Sequence, residues 1–211
     1  MEKKVLSVGA EAIIELREEN GKKIVLKRRI PKKYRIEELD VKIRRQRNKE
    51  EAKILEKLEN IISVPKLIKQ EEFEITMDFV EGESLKAVLE EMENSKVCET
   101  KLITQLAEKI GETLVKMHEK NVVHGDLAPS NFIISKDYKT ITLIDFGLGY
   151  FSSSIEDFAM DLFVMEETFK IFGHSGKNLF NAASEFYFSN FKKGKDVEKR
   201  LEKIRKRRRY V

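Results

Sequence analysis

A chain of 211 residues has room for one or two domains with a real hydrophobic core, and its 41% hydrophobic content agrees with a folded protein. A single cysteine, Cys98, excludes an internal disulfide and any multi-cysteine zinc site, and no apolar run reaches membrane-spanning length, so a cytoplasmic, membrane-free protein is expected. The net charge of +4 hides strong segregation: residues 22–49 carry 13 Lys and Arg against 3 Asp and Glu, residues 50–191 carry 14 against 26, and residues 192–211 carry 11 against 3. Two basic blocks therefore flank an acidic body, and the terminal run Arg205-Lys206-Arg207-Arg208-Arg209-Tyr210 repels itself unless a polyanion binds it.

Lys3 to Val8 and Ala12 to Glu18 read as strands joined by Gly9-Ala10-Glu11. Asn20-Gly21 is a two-residue hairpin signal, and a third strand then runs from Lys22 to Arg29 and carries Lys27. Ile36 to Glu59 is expected as one long helix with Leu39, Ile43, Ile54, Leu55 and Leu58 on its apolar face. Glu50 and Glu51 are about 100° apart around such a helix, so only one faces inward. Glu51, three and four residues before Ile54 and Leu55, is the nearer to the buried stripe.

A strand from Phe73 to Met77 leads into Asp78-Phe79-Val80-Glu81-Gly82. Ser84 to Asn94 reads as a short helix begun by Ser84, and Lys101 to Lys120 as a longer one with Leu102, Leu106, Ile110, Leu114 and Met117 along one face. His118 near its end is expected to pack or cap, because no metal-ligand partner is spaced beside it. Next comes His124-Gly125-Asp126-Leu127-Ala128-Pro129-Ser130-Asn131. The strands Phe132–Ser135 and Thr140–Ile144, joined by an Asp137-Tyr138-Lys139 turn, then lead to Ile144-Asp145-Phe146-Gly147. Each motif is weak alone; together, in order and with strands between them, they resemble a kinase catalytic centre.

That resemblance implies an α+β, two-lobed protein-kinase-like fold: a small sheet-rich lobe over residues 1–80, a reduced helical lobe over 81–191 and a basic tail over 192–211. It implies ATP and magnesium as cofactors. Asp126 takes the role of catalytic base, Asn131 and Asp145 hold magnesium, Lys27 and Glu51 form the phosphate-positioning pair, and His124 anchors the loop. The extended backbone at Asp78 and Val80 becomes the hinge that meets adenine, and Gly9, Ala10, Glu11 and Ala12 stand in the place of the phosphate-covering loop.

The match narrows further. Gly9-Ala10-Glu11-Ala12, Lys27 with Lys32-Lys33-Tyr34-Arg35, Glu51-Ala52, His124-Gly125-Asp126-Leu127, Ile144 to Gly149 and Glu156 to Leu162 resemble the small atypical kinase subunit of the KEOPS complex, the PRPK family, over nearly the whole length. By analogy with kinases, Asp161 braces the catalytic loop. Membership implies partnership with the complex's threonylcarbamoyltransferase subunit and other KEOPS subunits, and work on tRNA, with the basic first lobe and tail as its contacts. Departures from ordinary kinases shape the expectation. No Gly-x-Gly-x-x-Gly is present, so Gly9 alone is left to supply a close backbone approach, and only Leu148 to Ser154 separate Gly147 from the next helix. Gly125 stands where a cation commonly pairs with an activation-loop phosphate. The acceptor is left open between water and a protein Ser/Thr hydroxyl; a stand-alone protein kinase, a small-molecule kinase and a non-catalytic tRNA-binding scaffold are the competing readings.

Overall fold

Antiparallel strands, the second and third joined by a tight hairpin, build the first lobe. In the computed structural model, which describes residues 3–9, 11–95 and 100–208, strands β1 (Lys3–Val8), β2 (Ala12–Glu19), β3 (Lys22–Arg29), β4 (Leu67–Gln70) and β5 (Glu74–Asp78) form one antiparallel sheet in the order β1-β2-β3-β5-β4. Asn20 and Gly21 both have positive φ, 53° and 76°, as a type I′ hairpin requires. On β3, Ile24 and Leu26 are buried on one side, while Lys27 and Arg29, two residues apart, share the other.

Helix α1 (Glu37–Leu58) crosses this sheet. Ile54, Leu55 and Leu58 are buried as the periodicity predicts, and Asn48, fully buried, donates to the carbonyls of Glu71 and Glu74 at 2.7 and 3.2 Å, tying the helix to the β4–β5 hairpin. Leu39, expected on the apolar face, is 50% exposed instead. The buried residues before Glu51 are the polar Asp40 and Asn48, and the buried apolar face begins only at Ala52.

The second lobe comprises β6 (Glu83–Ser84), α2 (Leu85–Ser95), α3 (Thr100–Glu119), β7 (Val122–Val123), β8 (Phe132–Ile134), β9 (Ile141–Leu143), β10 (Tyr150–Phe151), α4 (Ile155–Phe169), α5 (Gly173–Asn190) and α6 (Gly194–Arg208). Ser84 Oγ accepts from Ala87 N–H at 3.2 Å and so begins α2 as expected. Ser154 caps α4 in the same way, accepting from the amide of Glu156. Helix α3 packs on α5 around Leu106, Ile110, Leu114, Leu179, Ala183 and Tyr187, all fully buried. Cys98 lies outside the described residues.

The basic stretch read from sequence as a tail is, from Gly194 to Arg208, a helix docked on α4. Val197, Leu201 and Ile204 recur at three- and four-residue spacing and are buried, and Arg205 pairs with the mostly buried Glu166 at 2.7 Å. Charge density conceals that apolar stripe in the sequence. Arg209 and Tyr210, the end of the basic run, lie outside the described residues.

Candidate active site

The two lobes meet along β3, α1 and the loops flanking β8 and β9. Lys27, 5% exposed, donates to Glu51 Oε1 at 2.6 Å and to Asp145 Oδ1 at 2.5 Å. Burial works against its ammonium, but the two carboxylates outweigh it and hold Lys27 above the ordinary lysine range. Asp145 is the converse case: burial pushes its carboxyl up, yet Lys27 and the Gly147 amide, 3.1 Å from Oδ1, hold it below the usual carboxylate range. Asp145 itself sits at φ 63°, a left-handed conformation that costs free energy for a non-glycine residue and concentrates at functional sites.

Glu51 rather than Glu50 faces inward, and it is 1% exposed. Its second oxygen accepts from Arg29 Nη2 at 2.6 Å. Arg29, 3% exposed, is a cleft-lining cation that the sequence motifs leave unmarked. The available signal is its position two residues after Lys27, which puts both cations on one face of β3.

The catalytic-loop segment is fixed by a buried carboxylate. Asp161, 1% exposed on α4, accepts from the amides of His124 and Gly125, both at 2.8 Å, and lies 3.2 Å from His118 Nε2. His118 in turn bonds Tyr187 Oη at 2.7 Å and stacks on Phe158, so it packs as expected, and it also braces Asp161. His124 is fully buried; its Nδ1 accepts from the Asp126 amide at 3.2 Å, which leaves Nε2–H to donate to the Ile144 carbonyl at 3.1 Å. One imidazole thereby ties the strand before Asp145 to the loop that carries Asp126. Asn131 completes the loop, its Nδ2 donating to the carbonyl of Asp126 at 2.8 Å and to Asp126 Oδ2 at 3.1 Å.

Gly125 has φ +79°, and a Cβ there would stand 2.6 Å from the carbonyl oxygen of Leu148. A cationic side chain at this position is thus excluded by backbone conformation and by the short segment after Gly147, which turns back to pair β10 with β7.

The cleft holds two adjoining cavities. The larger, about 490 Å³, is lined by Leu6, Ile14, Val25, Met77 and Ile144 with Asp78, Phe79 and Val80 at its rim, and reaches Lys27, Glu51, Asn131 and Asp145. The Asp78 amide is already spent on the Lys66 carbonyl, 3.0 Å away, whereas Val80 makes no backbone hydrogen bond among the described residues. The smaller cavity is lined by Gly9, Glu11, Ala12, Lys27, Arg29, Asp126, Asp145 and Gly147. Gly9 donates its amide to the Ala12 carbonyl at 3.0 Å, and a Cβ on it would make only an ordinary contact, so neither conformation nor crowding demands glycine there. Glu11 is engaged elsewhere, with Arg47 at 2.9 Å and with Arg35 and Lys32 at the edge of ion-pair range. Ala10 lies outside the described residues.

The oxygens present fit a hard divalent cation. Asp145 Oδ2 and Asn131 Oδ1 carry no hydrogen bond among the described residues, while their neighbouring atoms are held by Lys27, Gly147 and Asp126. Two such oxygens suit magnesium, which is usually held by one or two side chains together with phosphate oxygens and water. No group of three or more His, Cys, Asp or Glu capable of caging a metal occurs among the described residues.

Comparison with known proteins agrees with this geometry. The protein kinase domain model matches residues 9–169. A probable bifunctional tRNA threonylcarbamoyladenosine biosynthesis protein of Methanosarcina acetivorans is 38% identical over 98% of the chain, which spans 35% of that relative. The chain thus covers about a third of the bifunctional relatives it matches. It is 33% identical to the KEOPS complex subunit Bud32 of Pyrococcus abyssi, over 98% of this chain and 96% of that one. A probable serine/threonine-protein kinase BUD32 homolog of Archaeoglobus fulgidus is 31% identical over 97% and 95%. The chain therefore belongs to the protein kinase family, within the Bud32 group of atypical kinases.

Proposed function

We propose that the protein binds ATP with magnesium and transfers its terminal phosphoryl group to water or to a protein Ser/Thr hydroxyl, as the kinase/ATPase subunit of a KEOPS assembly that places threonylcarbamoyl on the tRNA adenosine beside the anticodon. The observation that carries this reading is the assembled Lys27–Glu51 pair in contact with Asp145, beside a loop in which Asn131 holds Asp126. Phosphoryl transfer needs little covalent chemistry from the protein; it needs position and compensating charge.

Lys27 is the cation for the phosphates, kept in place by Glu51. Asp126 is the residue that would orient the attacking hydroxyl or water and accept its proton, and the Asn131 bond to Oδ2 fixes the carboxylate for that role. Asn131 and Asp145 would hold magnesium, which when bound neutralises charge on the phosphates. The carbonyl of Asp78 and the backbone of Val80 would meet adenine above the apolar floor of the larger cavity. Gly9 and Ala12 would lie over the phosphates, with Glu11 anchoring that loop rather than touching nucleotide.

For tRNA the docked helix α6 offers the better surface. Lys195, Lys199, Lys203 and Lys206 are exposed and fall within about 80° of arc, on the side away from Val197, Leu201 and Ile204. The segment from Leu148 to Ser154 leaves no platform for a docked peptide, which favours partner- and tRNA-dependent ATP turnover over autonomous protein phosphorylation. The deciding experiment compares ATP turnover and label transfer for the wild type and Asp126→Ala, with and without tRNA and the transferase subunit. Turnover stimulated by both and lost in Asp126→Ala is expected; efficient label transfer to a peptide by the isolated chain would overturn the reading.

A further inference from the structure

We infer that Arg29 is a second phosphate-end cation, contacting the terminal phosphoryl group of the nucleotide from beyond Lys27. The inference rests on the reading of the cleft as an ATP site and assigns within it a residue that kinase motifs do not mark.

Three observations converge on Arg29. First, it is almost wholly buried yet underused: Nη2 donates to Glu51, while Nε is enclosed without a hydrogen-bond partner. A buried guanidinium with so few hydrogen bonds carries a desolvation cost, and a polyanionic ligand meeting its Nη groups would offset it. Second, its place in the cleft is polarised. Lys27 and Asp145 line both cavities, but Arg29 lines only the smaller one, with Asp126 and Gly147, and is absent from the cavity that contains Asp78 and Val80. With adenine at the hinge, Arg29 therefore stands at the far end of the phosphate chain. Third, the approach is open. Glycine at 147 adds no side chain to this end of the cleft, where a Cβ would stand 2.9 Å from Asp145 Oδ1, 3.1 Å from Lys27 Nζ and 3.4 Å from Arg29 Nη2.

Glu51 makes the arrangement self-supporting. Its two oxygens hold one cation each, so Lys27 and Arg29 are kept at a fixed spacing on β3 before any ligand arrives. The planar guanidinium has further donors for phosphate oxygens, a recognition mode that a lysine ammonium reproduces only as a point charge.

The test is equilibrium binding of ATP and ADP, each with magnesium, to the wild type, Arg29→Met and Arg29→Lys, with folding checked by thermal unfolding. The wild type is expected to prefer ATP. Arg29→Met should lose about tenfold or more of ATP affinity, as for one charge-assisted hydrogen bond, while ADP affinity stays within about twofold. Arg29→Lys should restore part of the ATP preference, and it serves as the informative variant if Arg29→Met fails to fold. Equal weakening of ATP and ADP would assign Arg29 to support of Glu51 alone and overturn the inference, as would no change in either. A wild type that binds neither nucleotide would instead refute the ATP-site reading itself.

Discussion

The two basic regions, residues 22–49 and the terminal helix, are similar in charge but differ in how much of it the fold has paired. In the first, nine of the thirteen Lys and Arg residues are in ion pairs: Lys23, Lys27, Arg28, Arg29, Lys32, Arg35, Arg44, Arg45 and Arg47. Two of these, Lys27 and Arg29, are buried in the cleft, and three more converge on Glu11 beside it. In the terminal helix only Arg200 and Arg205 are ion-paired among the described residues, and Lys195, Lys199, Lys203, Lys206 and Arg207 are exposed. A run of positive charge on a sequence therefore says little about a polyanion partner until one knows which charges the fold has already consumed. Two cations of the first block line the cleft, whereas the exposed lysines of the second form the surface proposed above for tRNA.

The largest expected effect breaks the first region at its centre. Asp145→Ala and Lys27→Ala should each reduce ATP turnover by about 100-fold or more, since each removes charge placed for the transferring group. Next, Glu51→Gln strips the shared counter-charge from two buried cations. Breaking a buried pair of this kind costs about 3–5 kcal/mol, to be read by chemical denaturation. The corresponding change at a surface pair, Glu72→Gln opposite Arg45, should cost about 1 kcal/mol or less, because both groups are largely exposed. A similar cost at both places would erase the distinction, within the first region, between cations held in the cleft and cations paired at the surface.

In the second region, replacing Lys195, Lys199 and Lys203 together by Gln should weaken tRNA binding and flatten its salt dependence, with the log–log slope falling by about 0.7–0.9 for each phosphate no longer neutralised. The same count of changes at Lys22, Lys33 and Lys42 tests whether the first block contributes; a smaller loss is expected there. Deleting residues 205–211 is the blunter variant, because Arg205 also holds the helix to Glu166 and the deletion removes a brace together with charge.

A pH series gives the smallest effect. Because the Asp145 carboxyl is depressed on folding, its contribution to stability is present above the ordinary carboxylate pKa and is lost as pH falls through the lowered value. Lys27, raised on folding, contributes fully below the ordinary lysine pKa and loses its contribution as pH rises through the raised one. Stability from this pair should be flat across neutrality and fall below about pH 4. In Asp145→Asn the acid-side loss should shrink, as measured by unfolding midpoints over the acid range.

Much of the fold is legible in the sequence because local signals and tertiary packing agree. Asn20-Gly21, the β3 run, the inward choice of Glu51 and the apolar face of α3 are each dictated by one period or one turn type. What stays hidden depends on through-space partners. Arg29 is an unremarkable strand residue until Glu51 arrives from α1, and α6 resembles a solvated run because three apolar residues among eight basic ones leave a weak stripe. Gly125 is an oddity of the motif until its cause is seen in the Leu148 carbonyl, which sequence spacing alone does not bring near.

Single-turnover and steady-state ATP hydrolysis with purified tRNA and the transferase subunit, comparing the wild type with Asp126→Ala, tests the central claim most directly. A loss of about 100-fold or more in turnover with ATP affinity retained is predicted. Undiminished hydrolysis by Asp126→Ala would contradict it.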